Sequence, residues 1–367
     1  MKVLLLFIFI LAGCNPLETG SLLTLEETDG YQPLDATGAL AQTIHSFLLS
    51  KDFNGVALVA AQGEIILHEG FGLAHTDGQI PMDPFQKFHI ASLSKSFAAV
   101  GILQLAERGL LSLDMTLDEF FPAVYRSHEI TIHHLLTHTS GLFSGDDLSN
   151  YSYPTETFDL IQYAFYPWAQ NFEEIGEGTL YSNLGYDLLG AIVETVSGMP
   201  YEKYLQTYIL DILGMPDSGL NREGELFERL ATAYGGHISQ ANEAPVFHPS
   251  FGFSSGGMHS TVMDLFHYIQ ALTLENSLLS FESFQTMTSP HSQIGQWQHG
   301  YGFFIDAGGT GNTISHTGNL LGWHGVLIQE LNNDATVILL TNHSAGSDMS
   351  KGFSIAQLVI DFSQRFP

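Results

Sequence analysis

The chain has 367 residues, of which 44% are hydrophobic and 14% are charged, a composition typical of a globular protein with a sizeable core in one large or two interleaved domains. Its 11 Lys and Arg residues against 39 Asp and Glu residues give a formal charge of −28. That charge repels phosphate backbones and anionic lipid surfaces, so nucleic acid is excluded as an expected partner.

Residues 1–13 are predicted to be a lipoprotein signal peptide. Lys2 precedes an unbroken apolar stretch from Val3 to Leu11, which has the length of a signal-peptide core and is too short to span a bilayer. It ends in a segment, Leu11-Ala12-Gly13-Cys14, that looks like a bacterial lipoprotein cleavage box. We expect residues 14–37 to be a linker from a lipid on Cys14, the only cysteine, to the folded part of the chain in the cell envelope. The alternative is a cytoplasmic protein with an apolar N-terminal element.

Periodic patterns predict the elements of the remaining chain in order. Leu40, Ile44 and Phe47 mark an N-terminal helix, and Gln62-Gly63 joins two β-rich runs as a hairpin. The predicted strands are Gly55–Ala61, Glu64–Ala74, Tyr301–Asp306, Thr313–Ser315, Trp323–Leu331 and Ala335–Thr341. A last helix is expected near Gly352–Phe366.

These elements predict an α/β (α+β) fold in which an antiparallel sheet is flanked by N- and C-terminal helices. The sheet domain is assigned to residues 38–97 and 295–367, and an inserted, mostly helical domain to residues 98–294. A site is expected in the cleft where the two parts meet.

Ser92 and Lys95 are the first candidate site residues, because nowhere else in the chain does a Ser stand three residues before a Lys. If Ser92 opens a helix, the spacing places both side chains on one face, one turn apart. A Ser hydroxyl is a poor nucleophile at neutral pH until a nearby base takes its proton. Lys95 can be that base if burial disfavours its ammonium form. The alternative is a helix cap with Lys95 on an exposed first turn.

Two later segments supply possible partners for such a nucleophile. Tyr181-Ser182-Asn183 precedes an amphipathic helix closed by Gly198 and Pro200, and a loop entering a helix can hold side chains toward a cleft. A phenol with a lowered pKa can relay protons, and an Asn amide can orient a substrate or a neighbouring Lys. His316-Thr317-Gly318 is predicted to follow a strand that ends at Ser315, with the Gly letting a substrate lie close to the backbone. Taken singly, these residues also fit a buried Tyr, a turn Asn and a core His.

Together these segments resemble the serine β-lactamase and penicillin-binding family. The resemblance is to the branch related to class C β-lactamases, D-Ala-D-Ala carboxypeptidases, D-aminopeptidases and β-lactamase-like esterases. Phe88 to Phe97 is close to the first motif of that branch, and Tyr181-Ser182-Asn183 matches its Tyr-x-Asn motif. Further matches are Leu135–Leu142, Gly256–Met258 with Ser260-Thr261, and Leu340–Asn342. The order is kept from about Leu40 to Asn342, and the resemblance implies a β-lactamase/transpeptidase-like fold.

The resemblance also implies roles for the candidate residues. Ser92 would be acylated, Lys95 and Tyr181 would share the general-base work, and the backbone N–H groups of Ser92 and Asn319 would form an oxyanion hole. One such donor contributes roughly 2.7–4 kcal/mol to catalysis. The implied substrate-binding residues are Asn183, His316, Thr317, Gly318 and Asn319. The expected reaction is acyl-enzyme hydrolysis of a D-amino-acid peptide, an ester or a β-lactam, with no cofactor.

His316 departs from the family pattern. The third motif of penicillin-recognising enzymes usually begins with Lys, whose charge attracts a substrate carboxylate. An unperturbed His has a pKa of about 6.5 and is mostly neutral at neutral pH. If His316 meets the substrate, its charge is expected to appear as the pH falls toward 6.5. His-x-Gly motifs resemble the aminopeptidase and esterase side of the family.

Three other interpretations are open. Gly252-Phe253-Ser254-Ser255-Gly256 fits the nucleophile elbow of α/β-hydrolases and would make Ser254 the nucleophile, although the expected preceding strand and following helix are missing from the pattern. His133, His134 and His138 suggest a metal site, although no His-Glu-x-x-His motif occurs and structural roles are favoured. The third is a non-catalytic sensor of the cell envelope that keeps the fold for ligand binding.

Overall fold

The structure is a computed structural model that describes residues 33–142, 175–221, 228–236, 242–244, 252–274, 277–306, 312–343 and 349–365. The helices of these residues, α1 to α10, are Pro33–Ser50, Ser94–Glu107, Ile132–Leu136, Asn183–Ser197, Tyr201–Leu205, Asp211–Leu213, Phe253–Gly256, Val262–Thr273, Phe281–Met287 and Met349–Arg365. The strands, β1 to β15, are Gly55–Ala61, Glu64–Phe71, Leu73–His75, Ile80–Pro81, Phe88–His89, Gly219–Leu220, Tyr234–Gly235, Asn242–Glu243, Met258–Ser260, Ser292–Ile294, Trp297–His299, Phe304–Ile305, Thr313–Leu320, Trp323–Glu330 and Ala335–Thr341. The predicted signal peptide and Cys14 lie outside the described residues.

The main sheet joins the two ends of the described chain. Its eight antiparallel strands run in the order β10-β11-β12-β13-β14-β15-β1-β2. Gln62 and Gly63 turn the β1–β2 hairpin with φ angles of 53° and 77°, the positive φ that a two-residue hairpin turn requires. Strand β1 also pairs with β15, from Gly55 opposite Thr341 to Ala61 opposite Ala335. The sheet therefore cannot form until distant parts of the chain meet.

Both faces of this sheet are buried. Successive strand residues point to opposite faces, so Ala57 and Val59 pack with helices α1 and α10. Val56 and Leu58 belong to a second and larger core that includes helices α2, α4 and α8. The apolar content of the strands on both faces follows from this position between two layers.

Helix α2 lies at the centre of the second layer. Residues Ser94 to Leu105 are all buried, because α2 packs against α4 and against the short helix α7. A helix buried on every side belongs to the core rather than to the surface. Strand β5 pairs with β9 and so fixes the segment immediately before α2 against Met258–Ser260.

The structure confirms the predicted fold class and most of the predicted elements. The N-terminal helix begins at Pro33, inside the predicted linker, and the C-terminal helix spans Met349–Arg365. The prediction that a strand ends at Ser315 is wrong, because β13 continues through the third motif to Leu320 and stays paired with β14 throughout. The division into residues 38–97, 98–294 and 295–367 stays a prediction. In the described part of the chain, no helix has the length and apolar character needed to cross a membrane.

Candidate active site

Ser92 lies in a strained turn at the start of the buried helix. The turn is a 3₁₀ segment, Ala91–Leu93, and α2 begins only at Ser94, so Ser92 precedes the helix instead of opening it. Ala91 has a φ of 47°, a left-handed conformation that costs a non-glycine residue about 1–2 kcal/mol. The Ser94 hydroxyl donates to the Ala91 carbonyl oxygen at 2.7 Å and so helps to hold the turn. Strain of this kind is concentrated at functional sites.

Lys95 points its amine at the Ser92 hydroxyl. The Lys95 Nζ atom lies 3.0 Å from Ser92 Oγ, 2.6 Å from Asn183 Oδ1 and 2.8 Å from the Ser255 carbonyl oxygen. The side chain is fully buried, and Nζ also lies 4.8 Å from the centre of the Tyr181 ring. The structure therefore brings Ser92, Lys95, Tyr181 and Asn183 together, the first two at the spacing that the sequence indicated and the other two from a distant segment.

Tyr181 and Asn183 are held by the start of helix α4. Ser182 is the N-cap, and its hydroxyl accepts a hydrogen bond from the Gly185 N–H at 2.9 Å. Asn183 is the first residue of the helix, which ends at Gly198 in a left-handed conformation with a φ of 71°. The predicted loop entering a helix is thus present, and the N-cap fixes the direction in which its side chains point.

The third motif lies along an open edge of β13. Strand β12 pairs with β13 only at Ile314 and Ser315, so the edge from His316 onward is not paired with β12. A Cβ atom at Gly318 would overlap the Ile90 carbonyl oxygen, and the glycine therefore allows β13 to lie directly against the turn that carries Ser92. Thr317 is partly buried, whereas Asn319 is exposed. This edge brings the backbone of the third motif beside the nucleophile.

His316 is buried and electrically neutral. Burial is the largest cause that lowers its pKa to about 3, and the positive charge of Lys95 acts in the same direction. Its Nδ1 lies 2.7 Å from the Thr317 carbonyl oxygen, which can only accept, so this nitrogen carries the ring proton. The expectation that His316 gains charge as the pH falls toward 6.5 is therefore wrong. The ordinary pKa applies to a solvated ring, and His316 is only 2% exposed.

His138 supports the tyrosine loop. It has a φ of 59°, and its Nδ1 accepts a hydrogen bond from the Ser182 N–H at 3.0 Å. Its ring stacks on Tyr181 with 4.4 Å between ring centres. Its ring centre also lies 4.8 Å from that of His299. Burial holds the pKa values of both histidines well below the usual range. These rings therefore pack as uncharged groups beside Tyr181.

The Ser254 alternative is contradicted by the structure. Ser254 is completely buried, and its hydroxyl donates to the Tyr186 carbonyl oxygen at 2.8 Å. A Cβ atom on Gly190 would overlap this hydroxyl, so α4 covers Ser254 closely. A nucleophile must reach its substrate, whereas the Ser254 hydroxyl is buried and is bonded to a helix backbone. The neighbouring Ser255 instead presents its carbonyl oxygen to Lys95.

The three histidines of the metal hypothesis lie in different environments. His133 Nδ1 is 2.8 Å from the Tyr301 hydroxyl, and His134 Nδ1 accepts from the Thr131 N–H in a capping box. His138 accepts from Ser182, as described above. Within the ranges that the structure describes, no group of three or more His, Cys, Asp or Glu side chains is arranged to hold a metal ion.

Sequence reasoning missed two members of this site. Asp187 is buried on α4 and accepts a hydrogen bond from the Ser255 N–H at 3.0 Å. Its position four residues after Asn183 places both on one helix face, a signal that was present in the sequence. His299 comes from β11, far along the chain, and no local pattern singled it out.

Fold and site together define a β-lactamase/transpeptidase-like protein, and comparison with known proteins gives the family. The family model described as beta-lactamase matches residues 40–359. The chain belongs to this family.

Proteins similar to this chain are named as a penicillin-binding protein, an esterase and a D-amino acid amidase. Penicillin-binding protein 4* of Bacillus subtilis (strain 168) is 29% identical over 345 residues, which cover 89% of this chain and 76% of that protein. Esterase EstB of Burkholderia gladioli is 30% identical over 357 residues, which cover 82% of this chain and 88% of that protein. The crystal structure of D-amino acid amidase from Ochrobactrum anthropi SV3 with D-phenylalanine matches with a TM-score of 0.76 at 25% identity, over 90% of this chain and 100% of that one.

Proposed function

We propose that this protein is a serine hydrolase in which Ser92 forms an acyl-enzyme with an ester or amide substrate. The observation that carries the proposal is the 3.0 Å distance between Lys95 Nζ and Ser92 Oγ, at a buried amine with two other fixed partners. Membership of a family with relatives named as esterase and D-amino acid amidase supports it.

The partners of Lys95 fit both forms of its amine, because the ammonium can donate to all three oxygens and the neutral amine, which is the base, can donate to two of them. Asn183 Oδ1 and the Ser255 carbonyl oxygen can only accept, so they take two N–H bonds from Lys95. The third neighbour is the Ser92 hydroxyl, which can donate to the remaining lone pair of the amine. This arrangement gives the proton of Ser92 a direct acceptor.

In the proposed acylation, Ser92 Oγ attacks the carbonyl carbon of the substrate while its proton passes to the Lys95 and Tyr181 pair. The C–O or C–N bond then breaks, and the leaving alcohol or amine takes that proton. In deacylation, a water molecule attacks the Ser92 ester, gives a proton to the same pair, and the proton returns to Ser92 Oγ. The Ser92 and Asn319 backbone N–H groups are proposed as the oxyanion hole.

The proposed substrates are esters or amides without a carboxylate at the position that the third motif faces. The buried ring of His316 is neutral, so it offers no cation where penicillin-recognising relatives have a Lys. A D-amino-acid amide or a simple ester needs no such cation. D-amino-acid peptides and β-lactams with a free carboxylate are therefore expected to be poorer substrates.

A matched pair of p-nitrophenyl esters, one neutral and one with a carboxylate, tests this substrate class. The ratio of kcat/KM for the charged ester to that for the neutral ester is expected to stay below one and to be flat from pH 5 to 8. The reason is that a group with a pKa of about 3 does not change charge in this range, and the shared loss of the general base cancels in the ratio.

Two variants at position 316 complete the test. His316→Lys is expected to raise the ratio about tenfold at neutral pH if the added ammonium gains about 1.4 kcal/mol from the substrate carboxylate. His316→Gln keeps the position neutral and is expected to leave the ratio unchanged. A wild-type ratio that climbs on acidification would contradict a neutral His316 at the site. No response to His316→Lys would place recognition of the substrate carboxylate elsewhere.

We also propose that the mature enzyme is anchored in the bacterial cell envelope by lipid on Cys14, facing the periplasm or the exterior. The apolar run before Cys14 supports this proposal. Wild-type protein expressed in a bacterium is expected in the membrane fraction, with an N-terminal mass that fits a lipidated Cys14. Cys14→Ser is expected to appear in the soluble fraction. Equal partitioning of the two proteins would contradict the anchor.

A further inference from the structure

Two of the hydrogen-bond partners of Lys95 described above depend on helix α4. Asn183 belongs to the helix and contacts Lys95 Nζ directly at 2.6 Å. The second partner, the Ser255 carbonyl oxygen, belongs to the short helix α7, which packs against α4. What holds this carbonyl in place decides where the amine of Lys95 points.

Asp187 holds the Ser255 residue from the other side. The Ser255 N–H donates to Asp187 Oδ1 at 3.0 Å, while the carbonyl oxygen of the same residue accepts from Lys95 at 2.8 Å. Asp187 is only 4% exposed, and it lies one helical turn after Asn183. One face of α4 therefore orients Lys95 twice, directly through Asn183 and indirectly through Asp187 and Ser255.

Asp187 also brings charge to the neighbourhood of Lys95. Burial raises the pKa of Asp187 to about 6, and hydrogen bonds from Ser255 and the charge of Lys95 oppose the rise. Most of the carboxyl groups are therefore ionised at pH 7, and this fraction falls as the pH drops through about 6. Keeping a buried carboxylate in this state is unfavourable, and such groups are concentrated at functional sites.

Five other titratable side chains near Lys95 or Asp187 in the described residues carry no charge near neutral pH. Burial lowers the pKa values of the histidines and raises those of two tyrosines well above their usual range. These groups are His138, His299 and His316 near Lys95, Tyr186 near Lys95, and Tyr201 near Asp187. Asp187 is thus the anion in this set.

We propose that Asp187 is a positioning residue for the acylation inferred above. It fixes the Ser255 carbonyl that aims Lys95 at Ser92. Its negative charge also sets the lowest pH at which Lys95 is still free to take the proton of Ser92. The proposal rests on the proposed function. Asp187 acts through a hydrogen bond and through a charge, and different substitutions remove these two effects.

The experiment compares Asp187→Asn with Asp187→Ala by the rate of fluorophosphonate labelling from pH 5 to 9. Asn keeps an oxygen for the Ser255 N–H but removes the charge, so labelling at pH 8 is expected within a few fold of wild type. Its acidic midpoint is expected to fall by about half to one pH unit, because a nearby anion favours the ammonium form of Lys95. Ala leaves the Ser255 N–H without its acceptor, and labelling is expected to fall about 10- to 100-fold at every pH.

Asp264→Asn is the matched control. Asp264 is also 4% exposed, and its Oδ2 accepts from the Asp217 N–H and from the Ser218 hydroxyl, but its charge interactions are with Asp217 and His267. Asp264→Asn is expected to leave the pH profile unchanged. If Asp187→Asn leaves the acidic midpoint of labelling in place, the proposal is overturned. It is also overturned if Asp187→Ala loses no more activity than Asp264→Asn at equal thermal stability.

A double-mutant cycle keeps this test independent of activity. Asp187→Asn, Lys95→Met and the double variant are compared by the equilibrium constant of unfolding. Coupling of Asp187 to Lys95 through Ser255 and through charge predicts that the paired change differs from the product of the single changes by about fivefold. Additive changes would overturn the interaction, whereas a wild-type protein that is not labelled although the cycle shows coupling would overturn only the proposed function.

Discussion

Ser92→Ala is expected to abolish covalent labelling by a fluorophosphonate and to reduce hydrolysis of a p-nitrophenyl ester by about 10⁴-fold or more. Of the three hydrogen-bond partners of Lys95 Nζ described above, the Ser92 hydroxyl can form an acyl bond, whereas an amide oxygen and a backbone carbonyl oxygen cannot. Intact mass spectrometry after labelling gives the result directly, because the adduct adds a defined mass. The variant is expected to fold, because Ser92 is partly exposed and alanine removes only one oxygen.

Ser254→Ala is the control for this prediction. Ser254 is two residues from the end of the Gly-x-Ser-x-Gly segment, yet its hydroxyl is buried against the Tyr186 carbonyl oxygen. The variant is expected to lose about 0.5–1.5 kcal/mol of stability with this hydrogen bond, because the Tyr186 carbonyl oxygen keeps its place in the helix, and to keep its labelling. If Ser254→Ala loses its labelling and Ser92→Ala keeps it, the nucleophile is Ser254, as in α/β-hydrolases. A folded wild-type protein that no acylating probe labels would favour the non-catalytic sensor.

Local sequence patterns predicted those parts of the fold that depend on neighbouring residues. The β1–β2 hairpin was predictable because Gln62-Gly63 stands between two β-rich runs, and the structure places both residues at positive φ. The helix after Asn183 was predictable from its apolar spacing and from the Gly198 that ends it. Ser92 and Lys95 were predictable as neighbours because three residues make about one helical turn.

Contacts between distant segments were beyond local patterns. Nothing in the sequence around Ala91 signals a φ of 47°, because the conformation is imposed by Ser94, β13 and the strands packed around the turn. The pKa of His316 depends on burial beneath strands that meet only in the folded chain, so the ordinary value misled the prediction. The extension of β13 to Leu320 follows from its pairing with β14 and not from its own composition.

Lys95→Ala and Tyr181→Phe are each expected to lower kcat by about 10³-fold or more, with the double variant little worse than the worse single variant. The two side chains are neighbours in the site, with Lys95 Nζ 4.8 Å from the centre of the Tyr181 ring, and we expect them to share one proton. Groups that act as a unit lose most of their contribution when either one is removed. Single-turnover acylation rates for the four proteins of this cycle measure the effect without interference from deacylation.

Tyr186→Phe is the matched control for the loss of the Tyr181 hydroxyl. Tyr186 also lies beside Lys95, with Nζ 5.7 Å from its ring centre, but its hydroxyl donates to the Leu136 carbonyl oxygen at 2.9 Å. Removal of that hydroxyl is expected to affect stability and to leave acylation within a few fold of wild type, because it takes no part in proton transfer. If the losses from Lys95→Ala and Tyr181→Phe multiply fully, the two groups act in separate steps. If Tyr186→Phe is as slow as Tyr181→Phe, packing around Lys95, and not a phenol proton, limits the reaction.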